Sequence, residues 1–513
     1  MSEKRETWAS RVGFIAATIG MAIGTGNIWR FPRVAANNGG GPFIIAWTVA
    51  LFVWAIPLHM GEMTMGRKTG LGTIGAFRDF MGKKYAWMGT WIAMVCLLLM
   101  SYYSVVMGWC LKYFTLAAKG TFKAGLTTEQ TSAIWNSFTA SGGEVAIFHF
   151  ICMAIAGYII YRGVQNGIEK FSKVMIPILF LLLAVAMVRA VTLPGAYMGL
   201  EYLFNPKFEM LKNPKIWLEA FTQVAWSTGA GWGFIITLST YTKKKEDVPG
   251  NCFTMGISDN VGALLAGMVV LPAIFALSPS MEYTTQALTS GNTGLTFIYL
   301  AQLFGSMPGG YIIGTLFFFS MAVAALTSLI PMIEVVVRNI MDTGVPRHKA
   351  TIIVSIIGFV FGLPSALNVN FLDNQDWVWG VGLLVSGLFV SFALMKYGVE
   401  QARQNVINTP WADFRIGKWW NVCIYAFPAI FAALFGWWIW QGIVGYPDNW
   451  MNPFETFNAG TIIVQFGLLI LFGILTNNYF CRKIGKGIDI TQLDEDEDEV
   501  VVLKNTNAAK EAK

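Results

Sequence analysis

Long apolar runs divide this chain, and charged residues gather almost wholly in the connections between them. A run of about 20 apolar residues is long enough to cross the hydrocarbon core of a bilayer as a helix. In lipid a backbone can satisfy its own polar groups only in a helix or a closed barrel. A membrane barrel would show short segments of alternating polarity, and the runs here are continuous. Of 513 residues, 55% are hydrophobic and 13% charged, about half the charged fraction of a soluble domain. The chain therefore reads as an all-α membrane protein. Twelve transmembrane helices are expected near 11–36, 43–66, 86–117, 146–163, 168–190, 214–242, 252–277, 310–341, 349–368, 375–396, 420–442 and 459–481.

The cations set the orientation, because Lys and Arg collect in cytoplasmic connections. They occur in the leader (Lys4, Arg5, Arg11) and between spans 2 and 3 (Arg67, Lys68, Arg78, Lys83, Lys84). Further groups follow spans 6 (Lys243 to Lys245), 8 (Arg338, Arg347, Lys349) and 10 (Lys396, Arg403, Arg415, Lys418). With twelve spans all of these fall on one side. The loops 278–309, 369–374 and 443–458 contain no Lys or Arg. Both termini are thus expected in the cytoplasm, with the protein in the inner (plasma) membrane. The leader runs into the first apolar run without a small-residue cleavage site, so no cleaved signal is expected.

Several function classes drop out. The net charge of +6 is spread between spans rather than along one face, so no nucleic-acid partner is expected. Cys96, Cys110, Cys152, Cys252, Cys423 and Cys481 have no metal-site spacing, and His59, His149 and His348 are scattered. An ATP-driven pump would carry a GxxxxGK[ST] loop, and none is present. No nucleophile and base pattern suggests an enzyme. A channel would need a repeated filter or charged rings.

Two runs are poor material for continuous helices. The first contains Gly20-Met21-Ala22-Ile23-Gly24-Thr25-Gly26-Asn27, with Pro32 beyond, and the sixth contains Ser227-Thr228-Gly229-Ala230-Gly231-Trp232-Gly233. Either cluster alone could serve close helix packing. Together they occupy matching places in two five-span halves, the pattern that marks the binding site of a secondary transporter. A broken helix exposes carbonyls that can replace water around a cation, and N–H groups that favour a carboxylate. Asp259, inside the seventh run, is costly in a membrane and so points to function. Thr327 and Ser328 in the eighth run add hydroxyls, although taken by themselves bonding back to their own helix is the simpler use for them.

Trp8-Ala9 with Arg11, the stretch Gly24-Thr25-Gly26-Asn27-Ile28-Trp29-Arg30-Phe31-Pro32, and Asn38-Gly39-Gly40-Gly41 together resemble the neurotransmitter:sodium symporter family. The likeness is closest to its bacterial amino-acid transporters, including the bacterial leucine transporter, and covers the first ten spans. It implies an inverted five-plus-five repeat with discontinuous helices 1 and 6. The divisions would be a leader at 1–10, a first repeat at 11–190, an external loop at 191–213 and a second repeat at 214–397. Helices 11 and 12 would fill 398–482, and a disordered acidic tail 483–513. One Na+ would use the Ala22 carbonyl, Asn27, Ser227 and Asp259, completed by the substrate carboxylate. A second would use carbonyls of Gly20, Ile23 and Ala324 with the hydroxyls of Thr327 and Ser328. The substrate would meet Ala22, Gly24, Thr25, Gly26, Leu99, Tyr103, Trp226, Ser227, Gly229, Trp232, Ser328 and Met332. Arg30 with Asp376 would form an external gate, and Arg5 with Asp342, under Trp8, a cytoplasmic one.

This chain departs from the family pattern in ways that bear on function. Asp259 stands where many relatives have Asn, and Ala263 stands where chloride-dependent relatives have Ser and the leucine transporter Glu. Trp226 and Gly229 replace a common Phe and Ser. Amine carriers place an Asp where this chain has Gly24. The resemblance thus implies Na+-coupled, chloride-independent import of a neutral, hydrophobic amino acid by alternating access, in a membrane-embedded carrier that is not an enzyme. The particular amino acid, the ion ratio, any proton antiport, the role of the tail and the oligomeric state stay open.

Overall fold

Each apolar run becomes helical. The structure, a computed structural model, describes residues 5–493; Lys4 and the tail from Asp494 lie outside the described residues. The start of the tail expected to be disordered, 483–493, is instead packed on the bundle, where the Gly485 N–H donates to Asp342 O at 3.0 Å and the Ile488 N–H to Thr69 O at 2.8 Å. Within them every regular element is a helix. Ten are long and apolar enough to cross a bilayer: Gly41–Thr69, Lys83–Ala118, Gly142–Tyr161, Val164–Val191, Val248–Leu277, Gly310–Met341, Arg347–Leu367, Val369–Tyr397, Trp419–Val444 and Ala459–Lys483. An eleventh crossing is the bent pair Arg11–Ala22 and Gly26–Asn37, which meet at 47°. The interrupted pair Pro214–Ser227 and Phe234–Ser239 makes the twelfth. Numbered in chain order, the bent and interrupted pairs are spans 1 and 6.

The expected loop 369–374 is corrected by the structure. Span 10 begins at Val369, because the Asn368 side chain accepts the Phe371 N–H and caps the helix there. The connections also hold short helices that hydropathy did not reveal, among them Thr73–Met81 and Thr128–Ala140.

Burial sorts the spans into an inner set and a lipid-facing shell. In their most apolar windows, 89% of span 8 and 83% of span 3 are buried, against 22% of span 11 and 28% of span 5. The outer spans leave Leu181, Val422, Leu475 and similar side chains exposed, which suits contact with lipid tails. Spans 3 and 8 therefore belong to the buried inner set.

Each break has a local cause. Span 1 stops at Ala22 because Ile23 turns extended (φ −77°, ψ 93°), and helix resumes through a wide π-type turn at Gly26–Arg30. In span 6, Gly229, Gly231 and Gly233 have φ of +70°, +87° and +78°, values that only glycine adopts without strain.

The glycines after span 1 have a separate reason. A Cβ on Gly40 (φ +68°) would lie 2.0 Å from the Tyr202 carbonyl oxygen, and one on Gly41 2.1 Å from that of Asn205. The loop between spans 5 and 6 thus crosses this turn backbone against backbone. At Gly39 (φ +87°) the obstacle is only the mobile end of Met210. Gly40→Ala is expected to cost about 2–4 kcal/mol and Gly39→Ala clearly less, read as the fall in melting temperature of the purified protein.

Candidate functional site

The two breaks meet. Asn27, just past the first, donates from Nδ2 to Asp259 Oδ1 at 2.7 Å, and its Oδ1 accepts the Gly24 N–H at 3.1 Å. Ser227, at the edge of the second, donates from Oγ to Asp259 Oδ2 at 3.2 Å. Asp259 and Asn27 are fully buried and Ser227 nearly so. Three spans therefore bring a side-chain amide, a hydroxyl and a carboxylate together, the amide nitrogen facing the carboxylate and the amide oxygen held by the Gly24 N–H, beside the helix end that frees the Ala22 carbonyl.

On the other side of span 1, Ser328 Oγ lies 3.4 Å from the Gly20 carbonyl and 3.1 Å from that of Met21. Thr327 Oγ1 bonds back to Ala324 O at 2.9 Å, the simpler use that the sequence allowed. A Cβ on Gly20 would stand 3.1 Å from Thr327 Cβ, so the helices touch here. Ile23 is buried at the helix end. Both sets consist of hard oxygens, and among the described residues no cluster of three His, Cys, Asp or Glu side chains occurs. Such donors suit a small alkali cation rather than a transition metal.

Above these oxygens is a cavity of about 390 Å³. All twelve residues expected to meet substrate line it, from Ala22, Gly24, Thr25 and Gly26 through Leu99, Tyr103, Trp226, Ser227, Gly229 and Trp232 to Ser328 and Met332. Tyr103 Oη accepts from the Thr25 amide at 3.1 Å and the Thr25 hydroxyl at 3.2 Å, which fixes it at the mouth of the first break. A Cβ on Gly26 would meet nothing within 4 Å, so the backbone there faces open space. Val106, Trp109 and Phe234 extend the apolar wall.

The gates differ from expectation. Arg30 and Asp376 both line the cavity, but no ion pair joins them. The Arg30 guanidinium lies 4.8 Å from the centre of the Trp226 ring, and Asp376 accepts from Tyr102 Oη at 3.0 Å. The cavity's end away from the leader is thus unlatched.

At the leader end the expected Arg5–Asp342 pair is replaced. Arg338, one turn earlier on the same helix, holds Asp342 at 3.0 Å, and the Gly72 amide donates to it at 2.6 Å. Arg5 donates to the carbonyls of Thr240 and Thr242, at the end of the Phe234–Ser239 helix, where free carbonyls favour a cation. The charged contacts at this end run instead through Arg347, which pairs with Glu334 at 2.8 Å, bonds Glu6 at 2.8 Å and Tyr241 at 2.9 Å. Trp8 seals this network, buried against Tyr241 and donating to Leu238 O at 3.0 Å.

Sequence reasoning missed two residues that hold the sixth-span break. The fully buried carboxylate of Glu62, on span 2, accepts the Gly231 amide at 3.3 Å and the Gly233 amide at 2.5 Å. His59 Nε2, one turn earlier, lies 3.0 Å from Thr228 O. Both sit inside an apolar run, and the rule that singled out Asp259 applies equally to them.

With the geometry in view, comparison with known proteins identifies the family. The model for the sodium:neurotransmitter symporter family matches residues 5–141 and 127–480. The chain belongs to this family. It is 32% identical over 405 residues to the uncharacterized sodium-dependent transporter YhdH of Bacillus subtilis, covering 78% of this chain and 87% of that protein. It is 29% identical over 435 residues to an uncharacterized sodium-dependent transporter of Methanocaldococcus jannaschii, covering 82% and 87%. The crystal structure of MhsT in complex with L-phenylalanine superposes with a TM-score of 0.74 at 29% identity, covering 84% of this chain and 99% of that one. As a member of this symporter family the protein is a sodium-dependent membrane transporter.

Two outcomes test the site. Glu62→Gln leaves one amide of the break without its acceptor, so it should cost about 1–3 kcal/mol, read by thermal melting, and weaken Na+-dependent ligand binding. Arg347→Ala should raise labelling of a reporter cysteine at Ser239, below the break, whereas Asp342→Asn, whose carboxylate answers Arg338, should raise it less.

Proposed function

We propose that this protein imports a neutral, hydrophobic amino acid by symport with Na+, through alternating access and without chloride. One observation carries the reading. Two helix breaks bound a single cavity whose floor is hard oxygen and whose walls are Leu99, Val106, Trp226, Trp232, Phe234 and Met332. The floor suits Na+ and a carboxylate together, and the walls suit an apolar side chain. In this reading Ala22, Asn27, Ser227 and Asp259 hold one Na+. Gly20, Ile23, Ala324, Thr327 and Ser328 hold the other. The substrate carboxylate meets the Gly26 amide and Tyr103, and itself completes the first ion's shell. That MhsT was crystallised with L-phenylalanine supports an amino acid of this kind.

An amine without a carboxylate fits poorly. A Cβ on Gly24 would lie 2.6 Å from Ser328 Oγ and 2.9 Å from Tyr103 Oη, so position 24 has no space for a carboxylate to hold an ammonium. The ligand must bring its own anion.

Chloride independence follows from charge. Two Na+ and a zwitterion leave positive charge in a low-dielectric site, where unit charges about 4 Å apart interact by roughly 4 kcal/mol at an effective dielectric of 20. The Asp259 carboxylate is a fixed counter-charge at the first set. Ala263, one turn further along span 7 and fully buried, offers no hydroxyl to hold an anion.

The clustering of Lys68, Arg78, Lys83, Arg482 and Lys486 around one cleft at the leader end supports a cytoplasmic leader in the inner membrane, with lipid around the outer spans. Transport would then alternate between the unlatched mouth and the end closed by Arg347.

The test is uptake into proteoliposomes. A hydrophobic amino acid should accumulate uphill with an inward Na+ gradient, not with K+, and equally in gluconate and chloride. Asp259→Asn with Ala263→Ser should make uptake chloride-dependent. Strong chloride dependence in the unmodified protein would overturn the charge argument.

A further inference from the structure

Trp226 forms part of the cavity wall, and where its ring lies is decided by another span. It is the next-to-last residue of the helix Pro214–Ser227. A Cβ built on Gly380 of span 10 would stand 1.7 Å from Trp226 Cζ2, 2.5 Å from Cη2 and 2.7 Å from Cε2. Ordinary carbon contacts are about 3.5–4.0 Å. The obstacle is the rigid body of the indole, so no rotation of a side-chain tip relieves the overlap. On another side the ring is covered by Arg30, 4.8 Å from its centre.

Two other reasons for a glycine at this position fail. Gly380 has no positive φ, so the backbone of span 10 does not itself demand glycine there. Nor is it a helix-packing glycine. A Cβ on Gly231 would meet the Gly387 backbone at 2.7 Å, whereas the three nearest atoms to one on Gly380 all belong to the Trp226 ring. Gly380 also stands one turn beyond Asp376, on the face of span 10 that borders the cavity.

We infer that Gly380 is a positioning residue for substrate size. The missing side chain lets the indole of Trp226 lie against the span 10 backbone, and that seat keeps the cavity wide enough for a large amino-acid side chain. The inference rests on the amino-acid transport proposed above and adds to it the element that sets the size limit. A methyl group at 380 drives the ring off span 10 and into the cavity. Large substrates then lose more than small ones.

The experiment measures Na+-dependent binding of tryptophan, phenylalanine and alanine to the full-length protein, unmodified and as Gly380→Ala, Trp226→Phe and the double variant. Gly380→Ala should lower the preference for the aromatic amino acids over alanine by about tenfold or more, the scale of one misplaced methylene in an apolar pocket. The double variant, whose shorter ring leaves the slot, should return the preference to that of Trp226→Phe alone. An equal loss for all three ligands in Gly380→Ala, or a double variant no better than Gly380→Ala, would overturn the proposal. If Gly380→Ala does not fold, recovery of folded protein by the added Trp226→Phe supports the seat, and equal failure overturns it. If the unmodified protein binds none of these amino acids, the transport reading fails, and a structure of Gly380→Ala still decides the seat. There an indole displaced from span 10 supports it, and an unmoved indole with a shifted span 10 overturns it.

Discussion

A helix broken inside a membrane leaves backbone N–H and C=O groups that lipid cannot satisfy, and the rest of this structure answers that demand. The end of Arg11–Ala22 frees carbonyls, and the start of Phe234–Ser239 frees amides. Span 2 meets the amides with Glu62 and reaches Thr228 with His59, and span 3 brings Cys96 to the Trp232 carbonyl at 3.0 Å. Span 8 brings Ser328 to the carbonyls of span 1. The partners come from spans 2, 3 and 8, so the breaks are also what ties the bundle core together. The carbonyls left over are the groups that an ion is proposed to complete, and the Gly26 amide is the donor proposed to meet a carboxylate.

The two ends of the cavity are unequal. At the leader end, Arg347, Glu334, Glu6 and Tyr241 form a charged and hydrogen-bonded plug with Trp8 over it. At the other end Arg30 and Asp376 are turned toward Trp226 and Tyr102. The energy of closing that end has a natural source in the ligand itself, since Arg30 and Trp226 both line the space it would fill. A ligand shifts such a balance only by binding one state better than the other.

Much of this was legible in the residues. Continuous apolar runs gave the spans, since lipid leaves the backbone no alternative to a helix, and the paired glycine clusters gave the breaks, the sixth because its alternate left-handed positions require Gly229, Gly231 and Gly233. The gates were not legible, because they depend on which of several nearby charges wins. Arg338 captures Asp342 from one turn away, while Arg347 reaches Glu6 across 341 residues of the chain. Glu62 and His59 were overlooked within an apolar run although their polarity was itself the signal. Gly380 looks like any small residue in a span until the ring of Trp226 is placed against it.

The central claim is that one site, built from both breaks, holds Na+ and an amino-acid carboxylate together. Linkage then requires each ligand to strengthen the other. The direct measurement is the Kd of a hydrophobic amino acid, and of its methyl ester, across a Na+ titration at constant ionic strength. The account predicts that the amino acid's Kd falls steeply as Na+ replaces K+, while the ester, lacking the carboxylate, binds weakly at every Na+ concentration. Equal affinity in Na+ and K+, or an ester that binds as well as the acid, would contradict it.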